Sequence, residues 1–541
     1  MDTKKPLQLT SLALVILTSL LLTVFYNIAF LKKTLEVYPL QDGNFLFLVS
    51  LGGLVFIVTA MLLSLFSSRL LVKPILVFVL VAAGMAGYFM DSYNVVINTL
   101  ILRSALETTS AETADLITWQ LVAYAIFLCV VPAVFIIRVK IKKQSMGQVF
   151  LERIKFYGLS AFGVVVILFT FSDYYTSFFR EHKSLRYYVN PLTAFYSLGV
   201  LAAESHGTLG TVDKVVIGED AKIPGWDKGR ELVILVVGET VRADHISLNG
   251  YGRPTMPLLA SQKLISYTDV TSCGTATAIS VPCMFSLKKE SEFEIGKASN
   301  SENLLNVLNH AGVSVLWRDN NTGSQGVLDG IQYQNFTEPT VNPSCDIECR
   351  DEGMLVGLES FIAEAEGQDI VIVLHQMGNH GPAYYKRYPE EFKKFLPVCE
   401  TNQLEDCDSS SIVNAYDNAL LYTDFFLNEV IEFLKPYDDK FETAMLYMSD
   451  HGESLGEYGL YLHGLPNFMA PASQRKVGAM LWLGAGYDVS IDSLMLGRDM
   501  PISHDNYFHT VLGLMEIETD IYDAGLDLLR CCSARTVLSK E

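Results

Sequence analysis

Residues 232–240 read Leu232-Val-Ile-Leu-Val-Val-Gly-Glu-Thr240: six aliphatic positions in a row, then a glycine, a carboxylate and a hydroxyl. A short run that is apolar at every residue predicts a strand buried on both faces. Four more runs resemble it: Val313–Trp317, interrupted only by Ser314, and Ile370–Leu374, Ala444–Met448 and Ala479–Leu483. Between them, Glu302–Ala311, Gly353–Ala365 and Ile412–Leu434 have helical periodicity. Strands alternating with helices predict an α/β domain with a mostly parallel sheet over 231–541. In such sheets ligands bind beyond the carboxyl ends of the strands. Here those ends run into Gly238-Glu239-Thr240, Asp319-Asn-Asn-Thr322, His375-Gln-Met-Gly-Asn-His380 and Ser449-Asp-His-Gly-Glu453. Four strand ends thus deliver carboxylates, imidazoles and amides to one rim.

Histidine nitrogen and carboxylate oxygen are common zinc ligands. Asp450 and His451 are adjacent after one run, and Glu239 follows another. An Asp-His pair alone fits an ordinary hydrogen-bonded turn equally well. A third ligand, Glu239, expected on the same rim turns the reading to a metal. A nucleophile is sought in Cys273-Gly-Thr-Ala-Thr277-Ala-Ile-Ser-Val-Pro-Cys283, which is dense in hydroxyls. Thr277 is expected at a helix start, where free backbone N–H groups favour an anion. A threonine hydroxyl beside zinc gives up its proton more readily. The plainer reading is that Thr277 only caps a helix, and Thr275 and Ser280 remain alternatives. His380 and His463 lie in Gly-containing polar contexts. They are expected to hold a second zinc, bind phosphate oxygens or protonate a leaving alcohol. His245, His310 and His375 fit structural roles better.

The chain ahead of this domain is of another kind. Of 541 residues half are hydrophobic, and the mean hydropathy of +0.27 is high for a soluble protein. A bilayer core takes about 20 apolar residues per helix. Five stretches are expected to span: Leu9–Leu31, Phe45–Phe66, Leu70–Phe89, Ile117–Ile137 and Tyr157–Phe171. Lys4, Lys5, Arg69, Lys73, Arg138, Lys140, Lys142, Lys143, Arg153 and Lys155 fall on one side, against Lys32, Lys33 and Arg103 on the other. The basic side is cytoplasmic, so everything after Ser172 is expected outside. The expected organisation is a transmembrane domain over 1–175, interfacial helices and a linker over 176–230, and a catalytic domain over 231–541. Closeness in sequence pairs Cys273 with Cys283, Cys345 with Cys349 and Cys399 with Cys407. Such bridges need an oxidising compartment, which the periplasm supplies. Cys531 and Cys532 are left unassigned. A formal net charge of -20 argues against a nucleic-acid partner. A monomer in the bilayer is expected.

Several of these stretches carry a family likeness. Val236-Val-Gly-Glu-Thr-Val-Arg-Ala-Asp-His245, the Thr277 segment, His380-Gly-Pro-Ala-Tyr-Tyr-Lys-Arg-Tyr-Pro389, and Ser449-Asp-His-Gly-Glu-Ser454 with His463 resemble the lipid A phosphoethanolamine transferases. That family includes the mobilised colistin-resistance enzymes and lies within the alkaline-phosphatase superfamily. The resemblance extends over nearly the whole chain. It implies an inner-membrane protein of a Gram-negative bacterium with its catalytic domain in the periplasm. It implies one zinc ion, or two, held by Glu239, Thr277, Asp450 and His451, with Thr277 as nucleophile. His380 and His463 are implied in headgroup binding or a second zinc site. Phosphatidylethanolamine is the implied donor and a lipid A phosphate the acceptor, giving polymyxin resistance. Further headgroup contacts are implied at Tyr93, Ser104, Thr108, Glu112, Thr322 and Gln325. Relatives often have Asn at the position of Ser104 and Lys at that of Gln325; the latter change removes a cation that could meet phosphate. Competing expectations are transfer to a lipopolysaccharide core sugar or periplasmic glucan, a sulfatase-like hydrolase, and a non-enzymatic receptor. Ser280-Val-Pro-Cys-Met284 lacks the arginine of the sulfatase pattern.

Overall fold

The computed structural model describes residues 7–107, 110–180, 182–207, 214–227, 229–295, 300–365, 367–487 and 489–531. The chain packs as two compact units. One comprises Met1–Leu102 and Ile117–Ala202; the other comprises Arg103–Leu116 and Ala203–Glu541. The segment 103–116, which sequence hydropathy groups with the spans around it, therefore packs with the second unit.

The first unit is helical. Its main elements are α1 (Ser11–Phe25), α2 (Ile28–Val37), α3 (Phe45–Ser64), α4 (Val72–Tyr93), α5 (Trp119–Arg138) and α6 (Met146–Thr170). α3 to α6 are each long and apolar enough to cross a membrane, and α1 with α2 passes the same test only as a pair bent by 54°, which gives four spans, or five where the pair counts as one. The expected continuous span Leu9–Leu31 is thus broken. The cause is Asn27, whose amide donates to Leu22 O at 3.0 Å and to Asn190 O at 2.7 Å. A side chain bonding the backbone in this way competes with the helical ladder. The expected start of the last span at Tyr157 is also corrected. α6 begins at Met146, behind a Ser145–Gln148 capping box. Arg153 and Lys155 are therefore helical residues rather than loop residues. Arg153 donates to Ser67 Oγ at 2.8 Å, which gives that charge a partner in the turn after α3.

The second unit is built on a seven-stranded sheet. Its strands are β1 (Glu231–Gly238), β2 (Leu264–Tyr267), β3 (Ser314–Asp319), β4 (Gln332–Asn335), β5 (Ile370–His375), β6 (Glu442–Ser449) and β7 (Ala479–Leu483). The order is β2-β7-β6-β1-β5-β3-β4. All pairings are parallel except those of β7 with β6 and with β2. β1 is central, and its alternate residues feed two cores. Val233, Leu235 and Val237 face one, with α7 (Thr277–Met284) and the helix Asp505–Leu514. Leu232, Ile234 and Val236 face the other, with α8 (Ser409–Leu434). Each aliphatic side chain buried this way contributes about 2 kcal/mol of transfer free energy, so the three-layer arrangement follows from the run with which the domain begins.

Disulfides join Cys273 to Cys283, Cys345 to Cys349 and Cys399 to Cys407. Cys531 ends a short helix, and Cys532 lies outside the described residues.

Candidate active site

The parallel register decides what meets at the rim. Gly238 pairs with Ser449, Val237 with His375, and Asp319 with His375. The strands end level, so Glu239 and Asp450 emerge side by side. Gly238 is confined by its neighbour: a Cβ there would lie 2.3 Å from the Tyr447 hydroxyl. Thr240 then takes a left-handed φ of 54°, an uncommon conformation for a residue with a Cβ. The turn lets Thr240 N donate to Asp450 Oδ1 at 3.2 Å, while His451 N donates to the same oxygen at 2.7 Å.

Glu239, Asp450 and His451 form a buried group whose ligand atoms all lie within 4.8 Å of one another. His451 Nε2 is 3.2 Å from Asp450 Oδ2 and 3.5 Å from Glu239 Oε1. Its other nitrogen, Nδ1, is 3.0 Å from the Gly452 carbonyl. A carbonyl only accepts, so Nδ1 carries the proton and Nε2 presents a lone pair. Asn321 donates to Glu239 Oε2 at 2.9 Å and to Gln376 O at 2.9 Å, which holds the glutamate in place. Burial pushes the Asp450 carboxyl up to about 6 and holds the His451 imidazole well below its ordinary value. Lone pairs on a neutral imidazole and two carboxylates thus face one another in a dry site. Asp450 Oδ2 meets no hydrogen-bond donor among the described residues. A cation with mixed nitrogen and oxygen preference fits this set.

Of the three hydroxyls left open by the sequence, one stands against this group. Thr277 Oγ1 lies 3.3 Å from Glu239 Oε2 and 3.2 Å from His451 Nε2. Thr275 donates instead to Leu465 O at 2.6 Å, and Ser280 Oγ accepts from Gly274 N at 3.1 Å. Nor is Thr277 a cap: the residue capping α7 is Ala276, without a side-chain bond. Thr277 is the first helical residue, half-buried, with its hydroxyl turned to the carboxylates.

The two further histidines gather beside it. The ring of His463 is 4.2 Å from that of His451 and 5.8 Å from that of His380. Its Nδ1 is 3.4 Å from Glu453 Oε1. Burial, then Arg387 and His463, hold the His380 imidazole well below its ordinary value. The histidines set aside as structural are occupied elsewhere: His245 on Asp417, His310 on Glu302 and His375 on Asp319.

The remaining expected contacts are scattered over the chain. Thr322 and Gln325 share the loop after β3, where Gln325 Nε2 donates to Thr322 Oγ1 at 2.8 Å. Tyr93 is buried at the end of α4 and stacks on Phe89. Ser104 lies on the helix Thr99–Glu107. Thr108 lies outside the described residues, and of Glu112 only its place on the helix Ser110–Leu116 is described. Sequence reasoning gave no role to Asp351, which receives Met377 N, Gly378 N and the Asn320 amide at 2.9, 3.2 and 2.8 Å. It ties the His375–His380 loop to the loop after β3. A lone acid beside a disulfide loop carries no sequence signal for that role.

Comparison with known proteins gives this geometry a family. Residues 55–205 match the family described as phosphoethanolamine transferase EptA/EptB, and residues 231–517 the family described as sulfatase. The chain is 42% identical over 520 residues to the phosphatidylethanolamine transferase Mcr-1 of Escherichia coli, with 94% of this chain and 95% of the relative covered. It belongs to the phosphoethanolamine transferase family. The family's integral membrane lipooligosaccharide phosphoethanolamine transferase A (EptA) from Neisseria meningitidis matches with a TM-score of 0.93 at 34% identity, covering 98% of this chain and 100% of that one. The C-terminal periplasmic domain of phosphoethanolamine transferase EptC from Campylobacter jejuni matches with a TM-score of 0.52 at 37% identity, over 59% of this chain and 97% of that one. The chain is therefore an inner-membrane member of the family with its α/β unit in the periplasm, the compartment its three disulfides require.

Proposed function

We propose that this transferase moves phosphoethanolamine from phosphatidylethanolamine to a lipid A phosphate through a phospho-threonine at Thr277. The observation that carries the reading is the approach of Thr277 Oγ1 to Glu239 at 3.3 Å and to His451 at 3.2 Å. Glu239, Asp450 and His451, with Thr277, would hold zinc. Bound there, zinc lowers the proton affinity of the threonine hydroxyl and offsets charge on the phosphoryl oxygens. The residues do the rest. Thr277 Oγ forms a bond to the donor phosphorus as the bond to diacylglycerol oxygen breaks, and the leaving alcohol takes up a proton. A lipid A phosphate oxygen then attacks the phospho-threonine and releases Thr277. The α7 N-terminus offers N–H groups to the phosphoryl oxygens at this position. His380 and His463 bind the phosphate, or a second zinc, from the exposed side. Tyr93, Ser104, Thr108, Glu112, Thr322 and Gln325 are assigned to the donor headgroup, and 176–230 to helices at the bilayer surface and a linker. The added amine offsets negative charge on lipid A, and polymyxin resistance follows.

The reading is tested by mass spectrometry of lipid A from cells expressing the wild type or Thr277→Ala. A phosphoethanolamine-sized mass gain with the wild type alone is expected. A gain that persists in Thr277→Ala removes Thr277 as nucleophile. A gain found on core sugar or glucan in place of lipid A moves the acceptor.

A further inference from the structure

The amino-terminal end of β1 carries a second gathering of acids, about 26 Å from Glu239 along the strand. Asp227, Glu231 and Glu516 each bring a carboxylate oxygen within 4.8 Å of the other two. Asp369, which precedes β5, adjoins them, its Oδ1 accepting from Glu231 N at 3.3 Å. Glu231 is 0% exposed. Neither of its carboxylate oxygens meets a hydrogen-bond donor among the described residues, and the same is true of Oδ2 of Asp227 and of Asp369. Arg230 is close in sequence, but its guanidinium donates to the carbonyls of Ala365 and Gln368 and stacks over Phe441. Arg230 still favours the charged form of Asp369 electrostatically, but a carboxylate taken out of water without a hydrogen-bond donor, as at Glu231, is unfavourable.

We propose that Asp227, Glu231, Asp369 and Glu516 hold a calcium ion at the pole of the sheet opposite the catalytic rim. The donor set is all oxygen, with neither imidazole nor thiolate, which selects a hard cation over zinc. Calcium accepts an irregular cage of protein carboxylates, whereas magnesium keeps much of its water. Glu516 reaches the cluster from the left-handed turn, φ 49°, that closes the helix Asp505–Leu514, with Ile517 N donating to Leu512 O at 3.0 Å. A cavity of about 670 Å³, lined in part by Glu516, Tyr487, Trp226 and Asp527, adjoins the cluster at Glu516. Bound there, calcium fastens the segment entering β1 to the residue before β5 and to the turn after the helix Asp505–Leu514. The rival arrangement is a proton shared by Glu231 and Asp369, since burial and the Asp369 carboxylate push the Glu231 carboxyl up to about 9.

The full-length chain, purified in detergent and saturated with zinc, is freed of other metals by dialysis and then given calcium chloride. Metal content and thermal unfolding are measured together. One calcium per chain is expected in addition to zinc, with a melting temperature raised by about 3 °C at a hundredfold excess over the dissociation constant. Glu231→Gln loses the bound calcium and the shift while keeping its zinc. Asp227→Asn, less buried and so a safer variant to fold, raises the calcium concentration for half-saturation at least about tenfold. Absence of calcium uptake by the wild type overturns the proposal in favour of the shared proton. Uptake undiminished in Asp227→Asn, or in Glu231→Gln where it folds, overturns the assignment of the ligands.

Discussion

The two ends of β1 pose the same electrostatic problem and meet it differently. At the carboxyl end, Glu239 and Asp450 are buried beside an imidazole and a hydroxyl. At the amino end, Asp227, Glu231 and Glu516 are gathered with no nitrogen ligand among them. Both ends concentrate negative charge in a low-dielectric interior, where only a counter-charge or a proton relieves it. Only the first adds a half-buried hydroxyl, that of Thr277, at a helix N-terminus. A cluster of acids is therefore no signature of catalysis. The distinguishing features are the lone-pair nitrogen held by the Gly452 carbonyl and the hydroxyl turned to face it.

That contrast can be broken or sharpened by measurement. Thr277→Ala is expected to reduce transfer by roughly 10,000-fold or more with folding unchanged, as read by lipid A mass spectra and circular dichroism. Its counterpart at the other pole, Glu231→Gln, is expected to leave the spectrum of products as it is; a loss of transfer there would join the two ends functionally. Glu239→Gln or Asp450→Asn is expected to remove most of the zinc and lower transfer by about a thousandfold. An undiminished zinc content would leave the rim no more metal-binding than any acid pair. Asn321→Ala releases Glu239 Oε2 from its 2.9 Å hydrogen bond and is expected to weaken zinc affinity by about 10- to 100-fold, measured by chelator competition. Reduction of the disulfides is expected to destabilise the second unit by about 2 kcal/mol per bridge, read as the shift in unfolding midpoint. Six free thiols in the untreated protein would contradict the bridges.

Much of the rim was open to a reader of the sequence. Strands buried on both faces announce themselves as apolar runs, one of the five here interrupted by Ser314, and all five runs are strands. The polar residues that follow them had one place to go. What the sequence concealed depended on partners far along the chain. β4 reads Gln-Tyr-Gln-Asn and lacks an apolar run, because an edge strand has less to bury. Met146–Thr170 hides its first turns behind charges such as Glu152 and Arg153, which look like loop until Thr10 and Gln144 are found to donate to the one and Ser67 to accept from the other. The break at Asn27 rests on Asn190, more than 160 positions away. The choice of Thr277 over Thr275 and Ser280 likewise needed coordinates, since all three hydroxyls look alike until the direction each one points is known.

The level strand ends have a consequence for how this enzyme can vary. Side chains alternate along a strand, so the rim is an address reached by counting residues from the core. Exchanging one aliphatic residue for another inside Glu442–Ser449 leaves Asp450 opposite Glu239. Deleting a single residue there keeps the composition nearly the same, yet turns Asp450 to the other face and puts His451 in its place. Descendants of this chain are thus free to repaint the strands but not to re-space them, and length variation is confined to the loops beyond the rim.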